Sequence, residues 1–417
     1  MKMSFYEELK WRNLIKDSSD EKELKNLLDC KKIKFYCGFD PTSDSLTVGH
    51  LVQLTMMSLL EKQGHSPFIL VGGATGLIGD PKETEERKLL SLETSLQNAK
   101  SLETQLKKIL FQKKITFLNN YEWFSQLDII TFLRKYGKLF NINYMLNKQT
   151  VAKRLSSGIS FTEFTYMILQ SLDFHHLYKN YGVQLQLGGS DQWGNITSGL
   201  ELIRKLETTS HAFGLSTPLL LNANGTKFGK SEQDVLWLDP QKTSPYKIYQ
   251  YFLNLADEEV VNCLKQLTLI PKEEILELEK ATLQTPQKRL AQKALANNIV
   301  NLIYSQKVLQ ECHKTNEVLF LNKKKESFQE ADFTLLNKTL FSYETSLVSI
   351  PLSEALVKTQ LTTSKREARE FIQRGSIQIF NEKIKNPDYL IDKKNTLFNK
   401  YVLLKKGKKN NSLIILN

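Results

Sequence analysis

KIKFYCGFDPTSDSLTVGHL, residues 32–51, reads as a short strand, a tight turn and the opening of a helix. Ile33, Phe35 and Cys37 alternate along the strand, the period-two pattern of one sheet face. The chain turns through Gly38 and Pro41, and residues 48–63 then follow helical periodicity. The same alternation continues outward. Residues 67–71 and 183–187 read as apolar buried strands and 115–118 as another. Residues 90–111, 128–140 and 196–206 read as helices. Residues 161–178 are apolar around most of their circumference, which predicts a buried helix. Strands alternating with helices point to an α/β fold with a parallel sheet over about residues 30–220. Upstream, residues 7–28 are helical with a polar break at 17–20.

Beyond residue 246 strand signals fade and helical periodicity dominates to about 323. Residues 323–345 are charged and weakly patterned. The last part carries a short helix, a basic helix over 364–374, and β-like segments around 377–380 and 401–404. The expected domains are therefore 1–220, 221–325, a linker at 326–348, and 349–417.

The chain has 417 residues, 41% of them hydrophobic and 24% charged, which is ordinary globular usage. Its net charge of +12 fits a polyanionic partner such as nucleic acid, or simply a solubilising lysine coat. Cys30, Cys37, Cys263 and Cys312 form no C-x-x-C pair, which argues against a structural zinc site or a disulfide framework. No secretory leader or membrane span is predicted, so the expected setting is reducing, soluble and cytoplasmic.

Ligands of open parallel sheets bind beyond the carboxyl ends of the strands. Three segments stand at such junctions. In residues 38–51, Gly49 and His50 open a helix whose free N–H groups and dipole suit an anion. His50 can donate to phosphate or ribose, or simply cap the helix. In GGSDQWGN, residues 188–195, Asp191 and Gln192 suit ribose hydroxyls, and Asp191 equally suits a helix cap. In KFGKS, residues 227–231, Lys227 and Lys230 flank a glycine in a cationic loop able to close on a triphosphate, or to stay solvated. GGATGLIGD, residues 72–80, lacks the GK[ST] ending of a Walker loop and is not G-x-G-x-x-G. Tyr166, Gln170 and Asp173 lie at i, i+4 and i+7 on the apolar helix, one polar face that must find internal partners or line a cavity.

In order and spacing these segments resemble the class I aminoacyl-tRNA synthetases. TVGH, residues 47–50, stands at the HIGH signature and KFGKS at the KMSKS signature. YCGFDPTSDSL (36–46), LVGGATGLIGDP (70–81), FTEFTYMILQSLDF (161–174) and LQLGGSDQWGN (185–195) look like the bacterial-type tyrosyl-tRNA synthetases. The resemblance runs from about residue 11 to the C-terminus. It implies a Rossmann-like catalytic domain, an all-helical anticodon-binding domain and a small α+β RNA-binding domain of the S-four type. SKREAREFIQRGSIQIFNEK, residues 364–383, is similar to that last fold, with Lys365, Arg366, Arg369 and Arg374 facing RNA phosphates.

The implied reaction joins L-tyrosine to ATP, with Mg²⁺, and then to tRNA(Tyr). Tyr36 and Asp173 would read the phenolic hydroxyl. Tyr166, Gln170 and Asp80 would hold the α-ammonium. Cys37, Gly38, Asp40, Gly49, His50, Gly189, Asp191, Gln192 and Lys230 would contact ATP. Lys227 and Lys230, helped by His50, Thr42 and Thr47, would stabilise the leaving pyrophosphate. A homodimer is also implied, with Phe161 and residues 128–140 as interface candidates.

Two positions depart from the family pattern. Thr47 stands where the family usually has His, and it cannot carry charge. Residues 79–87, GDPKETEER, replace a Ser-Gly-Lys stretch, leaving Lys82 and Arg87 as candidates for phosphate or acceptor-stem contacts. An enzyme for another aromatic amino acid and a non-catalytic RNA-binding relative are the competing expectations.

Overall fold

The computed structural model describes residues 3–81, 89–110, 115–221, 228–229, 235–320, 325–407 and 410–417. The chain divides into two units. One comprises Met1–Leu238 and Asp257–Leu283, the other Asp239–Ala256 and Gln284–Asn417.

The first unit is built on six strands: β1 (Asp17–Ser18), β2 (Lys34–Phe39), β3 (Ser66–Val71), β4 (Thr116–Asn119), β5 (Val183–Gly189) and β6 (Phe213–Thr217). They lie in the order β1-β6-β5-β2-β3-β4, and only β1 runs antiparallel to its neighbour. From β2 the chain winds to β3 and β4 on one side, then crosses back to β5 and β6 on the other. The crevice between β2 and β5 is the topological switch point where such sheets hold ligands. Register sets Tyr36 between Phe68 of β3 and Gln186 of β5.

The central strands β3, β5 and β6 are buried at nearly every position, as parallel strands covered on both faces are. The helix Leu51–Lys62 is buried along nearly its whole length. The helix Phe161–Tyr181 is capped by Ser160, whose side chain accepts from the Glu163 N–H, and it stops at the left-handed Gly182. Tyr36, Phe68, Phe174, Leu177, Leu200 and Ile203 share one core cluster. The expected helix at 128–140 is irregular: an α turn at Ile129–Thr131, a π-helical turn at Phe132–Tyr136 and a 3₁₀ turn at Gly137–Leu139.

Helices Asp257–Leu267 and Lys272–Gln284 were expected to belong with the helical region, yet the unit boundary at Leu283 places nearly all of both with the sheet. One tie between the sheet unit and the stretch joining these helices is Arg12, which is 1% exposed. Its guanidinium donates to the carbonyls of Lys265, Thr268 and Ile270 at 3.3, 3.1 and 2.7 Å.

The second unit holds helices Pro245–Leu253, Leu290–Ile303, Gln306–Phe320 and Glu330–Thr339. Its strands are β7 (Phe341–Thr345), β8 (Ser349–Pro351), β9 (Ile377–Ile379), β10 (Glu382–Ile384), β11 (Leu390–Asp392), β12 (Tyr401–Lys406) and β13 (Asn410–Leu416). A five-stranded sheet runs β10-β9-β12-β13-β7, and β8 pairs β11. The stretch read as a linker is therefore structured. Helix Glu330–Thr339 buries Phe333, which stacks on Tyr401 at 5.0 Å, and β7 runs parallel to β13.

The basic helix is found at Lys365–Gln373, with Ala368 and Ile372 buried. Lys365, Arg366, Arg369 and Arg374 are all exposed. Among the described residues no helix is long and apolar enough to cross a membrane.

Candidate active site

A cleft of about 370 Å³ opens at the carboxyl ends of β2 and β5. β2 and the turn after it contribute Tyr36, Cys37, Gly38, Asp40 and Thr42. The helix start contributes Thr47, Gly49 and His50. The helix Phe161–Tyr181 contributes Tyr166, Gln170 and Asp173 from one face, the end of β5 contributes Gly189, and the 3₁₀ turn Ser190–Gln192 after it contributes Asp191 and Gln192. Asp80 completes the wall. Every sequence-predicted cleft residue that the structure describes therefore lines one cavity. Lys227 and Lys230 lie outside the described residues, as do Lys82 and Arg87.

The inner end centres on Asp173, which is 2% exposed. Trp123 Nε1 donates to its Oδ1 at 2.9 Å and Asn120 Nδ2 to its Oδ2 at 3.0 Å. Burial holds its pKa well above the usual carboxylate range, against the lowering pull of those two bonds. The Tyr36 hydroxyl is buried and has no hydrogen-bond partner among the described residues. Burial and then the charge of Asp173 raise its pKa, so Tyr36 is a neutral donor. A buried donor without a partner near a fixed carboxylate is a site waiting for a group that both accepts and donates, such as a hydroxyl.

Next along the wall, Gln170 Oε1 is buried and lacks a partner among the described residues. The Tyr166 hydroxyl donates to Asp40 Oδ2 at 2.6 Å, and Asp40, Asp80 and Asp173 all raise its pKa beyond the main effect of burial. Asp80 accepts from Gln192 Nε2 at 2.6 Å and from Asn195 Nδ2 at 3.1 Å. Burial still pushes its pKa up to about 6. Three carboxylates converging on one partly dry wall favour a cationic ligand. Cys37, pushed up to about 12 by burial, is a thiol and not a thiolate nucleophile.

The outer end joins the two signature segments. Val48 N–H donates to the Leu236 carbonyl and Leu238 N–H to the Leu46 carbonyl, with Thr47 bridged to Trp237. Leu236 N–H in turn donates to Gly229. Gly229 has φ +72°, and a β-carbon there would lie 3.2 Å from that of Val48, so any larger residue at the centre of KFGKS would be strained. At the helix start, Thr47 N–H donates to His50 Nδ1 at 3.0 Å. A backbone N–H can only donate, so Nδ1 accepts and the neutral ring carries its proton on Nε2. Thr47 thus orients the histidine.

Sequence reasoning missed Asn120, Trp123, Asn195 and Gln186. Gln186 is 3% exposed and its Oε1 lacks a partner among the described residues. Its signal was available, a polar residue inside an apolar strand. Asn120 follows the end of β4, where ligand sites cluster, but nothing local links it to Asp173 53 positions on.

Residues 28–320 match the family described as tRNA synthetases class I (W and Y), and residues 332–414 match the tyrosine–tRNA ligase SYY-like C-terminal domain. The tyrosine–tRNA ligase of Onion yellows phytoplasma (strain OY-M) is 73% identical over 99% of this chain and 100% of its own. That of Ligilactobacillus salivarius (strain UCC118) is 44% identical over 98% of each. Among solved structures, a C-terminally truncated mitochondrial tyrosyl-tRNA synthetase from Aspergillus nidulans superposes with a TM-score of 0.69 at 31% identity. It covers 76% of this chain and 95% of its own.

Proposed function

Since this chain belongs to the class I tRNA synthetases and, within them, to the tyrosine–tRNA ligases, we propose that its cleft activates L-tyrosine with ATP and passes it to tRNA(Tyr). The tyrosine carboxylate attacks the α-phosphate, forming tyrosyl-adenylate and releasing pyrophosphate. A ribose hydroxyl of the terminal adenosine of tRNA then takes the acyl group. The substrate supplies the nucleophile, so the protein's work is alignment and charge stabilisation.

The observation that carries tyrosine is the inner end of the cleft. Tyr36 would donate to the phenolic oxygen and Asp173, held by Asn120 and Trp123, would accept its proton. Phenylalanine leaves both groups unmade, and each costs about 1–3 kcal/mol. Asp80, Tyr166 and Gln170 would take the ammonium. Cys37, Gly38, Asp40, Gly49, Gly189, Asp191 and Gln192 would line the adenylate, with His50 donating from Nε2 and Thr42 at the phosphates. Lys227 and Lys230 would neutralise the pyrophosphate.

ATP enters as its Mg²⁺ complex; among the described residues no cluster of His, Cys, Asp and Glu could hold a metal by itself. Within residues 221–325 the KFGKS loop would serve the cleft and the helices of the second unit would meet the anticodon arm, while Lys365, Arg366, Arg369 and Arg374 would meet RNA phosphates. A cytoplasmic homodimer is the proposed working form. Pyrophosphate exchange into ATP, with tyrosine, tryptophan and phenylalanine offered separately, tests the reading. Tyrosine should drive it alone. Faster exchange with tryptophan, or none with any of the three, would sink it.

A further inference from the structure

The glycine-rich stretch 72–80 matches no phosphate-binding loop, yet it lies against the cleft. Its Thr75 is 3% exposed and lines the cavity. A hydroxyl has one proton. Thr75 gives that proton to Asp40 Oδ1 at 2.7 Å and accepts from Asn120 Nδ2 at 3.0 Å. Asn120, with no exposure, is fully engaged. Its Oδ1 accepts from Ala74 N–H at 2.7 Å, which fixes the orientation of the amide, and its Nδ2 serves both Thr75 and Asp173.

A continuous chain of bonds thus runs Asp173–Asn120–Thr75–Asp40–Tyr166. Tyr166 stands on the same helix as Asp173, so the chain closes into a ring. Gly72 makes room for it: a β-carbon there would overlap the Asp40 carboxylate and the Thr75 hydroxyl.

We propose that Thr75 is a positioning residue that couples amino-acid recognition to nucleotide binding, tying the carboxylate that reads the ring hydroxyl to the carboxylate that faces the adenylate. This rests on the substrate reading above. Thr75 touches neither reacting atom in this scheme. It works because moving Asp173 to admit a ring without a hydroxyl pulls Asn120, and through the Thr75 oxygen displaces Asp40. Both halves of the site are then correct together or wrong together.

The test is Thr75→Val, close in shape but without the hydroxyl, with Thr75→Ser as the conservative control. Pyrophosphate exchange is measured with tyrosine and phenylalanine over a range of ATP concentrations, beside a melting curve. One bond to a charged group is worth roughly tenfold or more. Thr75→Val should therefore raise KM for ATP and lower the tyrosine-over-phenylalanine ratio of kcat/KM, each by roughly tenfold. Thr75→Ser should restore both.

A purely structural role would lower the melting temperature and leave the ratio alone, overturning the proposal. Movement of only one of the two quantities, or failure of serine to restore them, overturns it as well. If Thr75→Val does not fold, Thr75→Cys keeps the volume while weakening both bonds, and the same pair of shifts is required. Exchange that does not depend on tyrosine in the unmodified protein would remove the substrate reading itself. Tyrosine-dependent exchange with an unaltered Thr75→Val variant would remove the Thr75 assignment alone.

Discussion

Asp80 gives the cleft a titration that can be read from outside. Burial raises its pKa to about 6, so it is charged at neutral pH and neutral in mild acid. In the proposed role Asp80 must be charged to bind the tyrosine ammonium, which itself stays protonated across this range. kcat/KM for tyrosine should therefore be level above about pH 7 and fall roughly tenfold per unit below about 6. Asp80→Asn should be poor throughout and lose that limb. A profile in Asp80→Asn that keeps the same inflection would assign it to another group.

Tyr36 makes a second prediction. Tyr36→Phe removes a donor that has no protein partner among the described residues, so melting should change little while KM for tyrosine rises about tenfold. Loss of stability without loss of affinity would place that hydroxyl in a structural role. The residues legible in the sequence were those that share one local element. Tyr166, Gln170 and Asp173 could be grouped because helical spacing puts them on one face. Asn120, Trp123 and Thr75 could not, because their common partners, Asp173 and Asp40, are reached only by folding the sheet.

At the scale of elements, the parallel sheet was legible because its strands are short apolar runs separated by glycine-rich turns. The reading failed where polar composition hid a core contact. Helix Glu330–Thr339 looked like linker because its outer face is charged, yet Phe333 and Leu336 are both fully buried, three apart on one face. The end of helix Asp257–Leu267 and the turn after it are tied to the sheet unit by Arg12, a contact spanning some 250 positions that no periodicity carries.

Arg12→Met keeps the length and removes the donors. It strips three carbonyls of their partner and breaks the 2.9 Å pair with Glu8. A destabilisation of about 2–4 kcal/mol is expected, seen as a lower urea midpoint with unchanged slope. A change under about 0.5 kcal/mol would mean that water replaces the guanidinium at no cost.

Assembly and RNA contact are properties of the whole molecule. In the first unit Ile129, Ile130, Leu133, Ile142 and Phe161 stand 63, 58, 48, 63 and 73% exposed. Such a density of exposed large apolar side chains within 33 positions supports the proposed homodimer face. Phe161→Asp should halve the mass seen by light scattering and depress exchange, whereas an unchanged mass would move the interface elsewhere.

The division of labour is tested by truncation, and the fold dictates where to cut. A chain ending at 351 keeps β7 without its partner β13 and keeps Phe333 without Tyr401. It should aggregate, because an unpaired strand edge and a stripped core face are both exposed. Ending at 324, between helices Gln306–Phe320 and Glu330–Thr339, removes the sheet together with the helix that packs on it. The matched relative from Aspergillus nidulans, itself C-terminally truncated, supports such a fragment folding. The 1–324 protein should retain tyrosine-dependent exchange within about threefold while its charging of tRNA falls by at least tenfold, since the exposed arginines proposed to meet RNA phosphates are gone. Equal loss of both activities in a soluble fragment would mean that the C-terminal part shapes the cleft as well as the RNA contact.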